Sequence, residues 1–189
     1  MSNENAVETE RLPPLPEAAL TVAQRTAAAA LVAGRRGALF GPFVPLLRSP
    51  QLLDRAQRLG EYLRYESGVP VRLRELAILL TARHYRQAYE WHVHAPAASQ
   101  AGLAASLIDA IGTGKPPAAM TAEEATVYEF CGQLLQTHTV DDPTYAAALA
   151  LLGEAGVVEL CGICGYYGLL ALVMNVARTA LPAGARAPW

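Results

Sequence analysis

The chain reads as an all-α protein of a single domain, about seven or eight helices packed around one core. Three observations lead there. Apolar residues recur at three- and four-residue spacing, which gathers them on one face of a helix. Capping residues, prolines and glycines punctuate those runs where helices start and stop. No run alternates apolar and polar residues as a half-buried strand does. With 189 residues, 52% of them apolar, and a formal net charge of −2, the chain is long enough to bury a sizeable core. The charge balance leaves no basic excess for nucleic acid. An odd count of three cysteines makes no disulfide framework, so a reducing cytosol is the simplest compartment.

Residues 1–19 are expected to form a disordered or loosely packed arm. MSNENAVETER lacks the basic start and apolar run of a signal peptide, and Pro13, Pro14 and Pro16 interrupt regular structure. The helical domain is expected over 20–181. Thr21 is placed to cap the alanine-rich run that follows, and Gly34 to close it. Arg35–Pro45 carries glycine and proline breakers and reads as a loop pinned by Phe40 and Phe43. Ser49-Pro50 opens a helix with Leu52, Leu53, Ala56, Leu59 and Leu63 at helical spacing, ending near Ser67-Gly68. Pro70 begins another, with Leu73, Leu76, Ala77 and Leu80 on its core face. A short break near Tyr85–Arg86 separates it from a helix over about Gln87–Ala101, closed by Gly102, with a kink expected at Pro96. A short helix with Leu103, Leu107, Ile108 and Ile111 precedes the loop GTGKPPAA.

Thr121-Ala-Glu-Glu124 is a capping box for a helix reaching about His138. Asp142-Pro143 is expected to cap the next, which ends at Gly153, and a last helix fills about Ala155–Thr179. The stretch Val157–Ala177 has about the length that spans a bilayer. Glu159 and Asn175 lie inside it, and burying them in lipid is costly. A buried helix of the core or of an oligomer interface fits better than a membrane span. The tail, 182–189, reads as disordered or as an arm onto a neighbour.

The chemistry concentrates in Leu73–Gly102, which holds three of the four histidines. Glu90 and His94 are four apart, so they share a helix face. Gln87 sits a further turn back on that side. Glu75, on the preceding helix, could converge on them. A carboxylate beside an imidazole makes a charged pair or a proton-transfer pair. The plainer alternatives are a solvated i,i+4 pair for Glu90 and His94, worth about a few tenths of a kcal/mol, and a salt bridge from Glu75 to Arg72 or Arg74. The three residues could also hold a metal as a carboxylate/imidazole set. His92 points elsewhere and reads as a surface or interface residue. Tyr89 could donate a proton or orient a ligand, or simply pack. Trp91 is of a type found more often in cores and interfaces than as a ligand platform. Cys161 and Cys164 form a Cys-x-x-Cys pair, a redox motif in some cytosolic chains. No histidine follows at the right distance and the flanks are apolar, so packing is the simpler reading. A zinc site would need a second spaced pair, which is absent from the sequence.

RELAIL (Arg74–Leu79), YEWHVH (Tyr89–His94) and the stretch from His94 through Ala101-Gly102-Leu103 resemble the carboxymuconolactone decarboxylase / alkylhydroperoxidase D-like superfamily, over roughly residues 45–180. The peroxidase branch of that superfamily carries Glu, then Cys-x-x-Cys-x-x-x-His. Here His94 takes the place of the motif histidine and Glu75 that of the upstream glutamate. The two cysteine positions fall on Gln87 and Glu90, as in a thiol-free branch. The resemblance implies the alkylhydroperoxidase D-like helical fold and a homo-oligomer, commonly a trimer or hexamer. It implies a lyase that needs no cofactor and no resident metal, acting on a small carboxylated, lactone-like substrate. His94 is then the acid/base, Glu90 its partner or a second proton carrier, and Glu75 the orienter. Tyr89 and Trp91 stand beside them as substrate contacts, and an arginine such as Arg83 could hold the substrate carboxylate. Neither a membrane nor a nucleic-acid partner is expected. Two other readings stay open: a thiol peroxidase using Cys161, Cys164 or Cys131, and a non-catalytic helical oligomer that binds a small acid.

Overall fold

The computed structural model describes residues 9–189. Among them are one 3-10 turn, Glu17–Ala19, and eight α-helices with no strand. The helices are α1 (Val22–Ala33), α2 (Phe43–Leu46), α3 (Pro50–Tyr65), α4 (Val71–His84), α5 (Ala88–Gln100), α6 (Ala105–Thr113), α7 (Ala122–Thr137) and α8 (Asp142–Ala177).

α4 is the hub. Leu73 through Leu79 are buried without interruption, because α5, α6, α7 and α8 all pack against it. A helix apolar on one stripe can rest on a surface, whereas one buried on every side must sit inside. That enclosure also takes in Arg74 and Glu75, the only charged residues of the buried run.

Local chemistry sets the ends. Thr21 accepts the Gln24 N–H while the Gln24 side chain accepts the Thr21 N–H, a full capping box. Thr121 and Glu124 make the same reciprocal pair at the start of α7. At α8 the cap is Asp141, one residue before the expected Asp142. Its carboxylate accepts the Thr144 N–H at 2.9 Å, and Pro143 falls within the first turn. Gly153 (φ 70°, ψ 176°) bends α8 where two separate helices are expected. The expected loop over Arg35–Pro45 contains the start of α2. Its Phe43, Pro45 and Leu46 are buried, and a helix this short leaves too few residues for periodicity to reveal.

α8 is long and apolar enough to cross a membrane by length and composition alone. In the fold its Leu160, Ile163, Tyr167, Leu170 and Met174 belong to the core, while Val158, Leu172 and Val176 face outward. α3 approaches α8 through Gly60, where a Cβ would collide with the Tyr166 hydroxyl.

Of the expected N-terminal arm, residues 1–8 lie outside the described residues. Beyond them the chain is tied down. The Arg11 N–H donates to the Ala177 carbonyl (2.8 Å), the Ala180 N–H to a Glu10 carboxylate oxygen (2.7 Å) and Arg48 to the Pro13 carbonyl (2.6 Å). The tail differs from expectation as well. It folds back onto its own chain, with Trp189 edge-on to Trp91 at 5.5 Å between centroids. Pro188 closes over Gly112, where no Cβ would fit. Two aromatic rings and a proline give this segment enough apolar surface to dock.

Candidate active site

α4 and α5 are joined by a tight turn in which Arg86 takes a left-handed conformation (φ 51°). Gln87 caps α5, accepting the Tyr89 N–H at 2.6 Å and donating from Nε2 to Asn175 at 2.8 Å. Asn175 in turn donates to the Tyr85 carbonyl at 2.9 Å. Gln87 therefore turns toward α8 as a latch and does not join Glu90 and His94. The same pairing accounts for a polar residue inside the apolar stretch of α8.

The turn brings α4 and α5 together so that Glu75 meets His94. Nδ1 of the imidazole lies 2.7 Å from Glu75 Oε2, and Nε2 lies 3.4 Å from Glu90 Oε2. All three side chains are buried, at 2–5% exposure. A carboxylate can only accept, so Nδ1 carries the proton toward Glu75. Nε2 is left facing Glu90. Burial holds the Glu90 carboxyl above the usual carboxylate range, opposed by the attraction of His94, Arg64 and Arg36. In its neutral form Glu90 can give a proton to Nε2, and in its charged form it can take one. Its Oε1 is buried with no hydrogen-bond partner. The bridge from Glu75 to Arg72 is not made: Arg72 pairs with Glu123 (2.6 Å) and with Glu124 on α7.

Sequence reasoning missed the groups that surround this triad. Tyr167 stands edge-on to His94 at 5.0 Å and to Tyr166 at 5.3 Å. Burial drives the Tyr167 hydroxyl well above its ordinary pKa and pushes Tyr166 up to about 12, so both stay protonated. Arg36 donates to the Tyr166 hydroxyl at 3.3 Å and stacks over Phe43. The paired tyrosines in an otherwise aliphatic run were the available signal. Arg36 and Arg64 had none, since arginines near helix ends are common on surfaces.

Two spaces adjoin the triad. One is a cavity of about 20 Å³ walled by Arg36, Arg64, Tyr89, Glu90, His94 and Tyr167, room for about one water molecule. The other is an open pocket of about 310 Å³ with Glu75, Arg64, Arg74, Tyr65 and Gln100 in its walls. Arg64 borders both, and neither it nor Arg74 makes an ion pair among the described residues. The Arg74 Nε is buried without a partner, and burial lowers its pKa.

Tyr89 thus adjoins the triad, whereas Arg83 and Trp91 do not border either space. Trp91 packs on Trp189, and Arg83 lies under that same ring at 5.3 Å. His92 is exposed, as expected. Cys164 does not pair with Cys161. Its Sγ lies 3.6 Å from that of Cys131, both buried, and Cys161 is exposed. No cysteine borders either space beside the triad. Among the described residues no group of three or more His, Cys, Asp or Glu is arranged to hold a metal ion.

Residues 50–129 match the model of the carboxymuconolactone decarboxylase family. The match takes in α3 through the first half of α7, including Glu75, Glu90 and His94. No curated protein matches the chain.

Proposed function

We propose that this chain, whose residues 50–129 match the model of the carboxymuconolactone decarboxylase family, is an acid–base enzyme acting on a small carboxylated, lactone-like substrate. The observation that carries the reading is an imidazole held between two buried carboxylates, one bordering a small cavity and the other a larger, open pocket. The substrate lies in the open pocket. Its carboxylate meets Arg64 and Arg74, the cations there without an acidic partner, in place of the expected Arg83. When the carbon–carboxylate bond breaks, carbon dioxide leaves and the electron pair passes into the conjugated system. Glu75, in the pocket wall, takes the Nδ1 proton of His94 and hands it to the far carbon. His94 is refilled at Nε2 from Glu90. One proton is consumed per carbon dioxide released, and solvent replaces it. General acids held in line at the pocket wall support such a transfer.

The test is carbon dioxide release from unsaturated carboxylated lactones. His94→Gln, Glu75→Gln and Glu90→Gln should each lose about a hundredfold or more in kcat, and Arg64→Ala should mainly raise KM. Undiminished turnover in His94→Gln overturns the scheme. A thiol peroxidase is disfavoured, since Gln87 and Glu90 occupy the motif positions. Peroxidase activity lost on changing all three cysteines to serine would revive it. The small volume of the cavity beside Glu90 and His94, about 20 Å³, favours a second reading, a non-catalytic oligomer that binds an organic acid. Binding without turnover, lost in Arg64→Ala, would select it. A homo-oligomer fits either reading, with the outward Val158, Leu172 and Val176 of α8 as contact residues. Sedimentation at a trimer or hexamer mass tests that.

A further inference from the structure

We infer that a second pocket, separate from the triad, binds a small organic oxyanion with a ring-sized apolar body. The pocket has a volume of about 420 Å³ and lies where the end of α4 meets α6 and α7. That is within the range of small-molecule sites. Arg83, Arg86 and Lys115 stand in its walls beside His84, and no aspartate or glutamate does. None of the three cations makes an ion pair among the described residues. In a chain of net charge −2, three uncompensated cations around one concavity repel each other unless an anion joins them.

The arginine is also held ready. Arg83 lies under the Trp189 ring at 5.3 Å. Gly114 (φ 70°) leaves open the space a side chain would fill, so that Arg83 Nη2 sits 2.8 Å from where a Cβ would be. The Arg83 Nε is buried and has no hydrogen-bond partner. A guanidinium packed beside Trp189 and Gly114, with donors left over, matches a carboxylate or a phosphate in its plane. Leu80, Ile111 and Leu135 supply an apolar floor, which selects an organic anion over a bare inorganic one. Tyr128 and Gln136 add neutral polar groups to the wall.

The two tryptophans of the chain, Trp91 and Trp189, are a built-in reporter beside Arg83. The full chain is titrated with phenyl phosphate, with benzene-1,2-dicarboxylate and with inorganic phosphate. Binding is followed by tryptophan emission and by calorimetry. One or both organic anions should bind saturably and more tightly than inorganic phosphate. The tighter of the two tells a phosphate ester from a carboxylate. Arg83→Ala and the exposed Lys115→Ala should each weaken binding by about tenfold, the size of one charge-assisted hydrogen bond, and Arg64→Ala should leave it unchanged. Three results overturn the inference: no saturable binding, inorganic phosphate binding as tightly as the organic anions, or affinity lost in Arg64→Ala but kept in Lys115→Ala.

Discussion

An imidazole flanked by two carboxylates out of water cannot have all three groups in arbitrary charge states. Burial penalises the charged form of Glu90, which accordingly keeps its proton above the usual range. Its folded pKa is raised relative to the unfolded chain. The folded state then holds the extra proton, and Glu90 contributes stability below the ordinary carboxylate pKa that is lost as pH rises through the raised value. Glu90→Gln should keep the fold, since the amide mimics the neutral acid. Urea unfolding of that variant should show a smaller fall in stability with rising pH than the parent. The pairing of Glu90 with His94 was legible in the sequence because a helix enforces i,i+4 neighbours. The approach of Glu75 rested on resemblance, since spacing alone cannot say how two helices cross. The arginines around the triad were not legible, because a solvated arginine and one facing a cavity look alike in sequence.

Among the helices, local signals with a hydrogen-bond mechanism were readable and packing was not. Thr121 and Glu124 announce the start of α7 by residue type and spacing, and the structure makes both bonds. Thr121→Ala should cost about 1 kcal/mol, read from urea unfolding at constant m-value. Gly153 was legible as an interruption, though the chain bends there and continues. Gly60 gave no signal at all. Its role is the close crossing of α3 over Tyr166 on α8, a contact between residues far apart in sequence. Gly60→Ala should destabilise by about 1–3 kcal/mol through overpacking. Moving Tyr166 would also disturb its bond to Arg36, so the shape of the small cavity that Arg36 lines should change with it.

At the scale of the whole molecule, both ends of the described chain are sewn to the helical body. Glu10 and Arg11 hold the end of α8, and Trp189 covers Trp91. The all-helical class was legible because every strong run had one period and every run had its stops. The fate of the termini was not, since a proline-rich segment gives no periodicity and its partners lie far along the chain, up to 170 residues away. Removing 182–189 uncovers Trp91. The aromatic pair alone is worth roughly 1 kcal/mol beyond its buried area, so Tm should fall by at least about 2–4 °C. The emission of Trp91 should move to longer wavelength.

The three thiols divide into one outside and two inside. A chromogenic disulfide reagent should therefore consume one equivalent from the folded protein before the others, at Cys161. The second and third equivalents must wait until α7 and α8 part far enough to admit it. Their rate, followed under native conditions, times the breathing of the interface that Cys131 and Cys164 share.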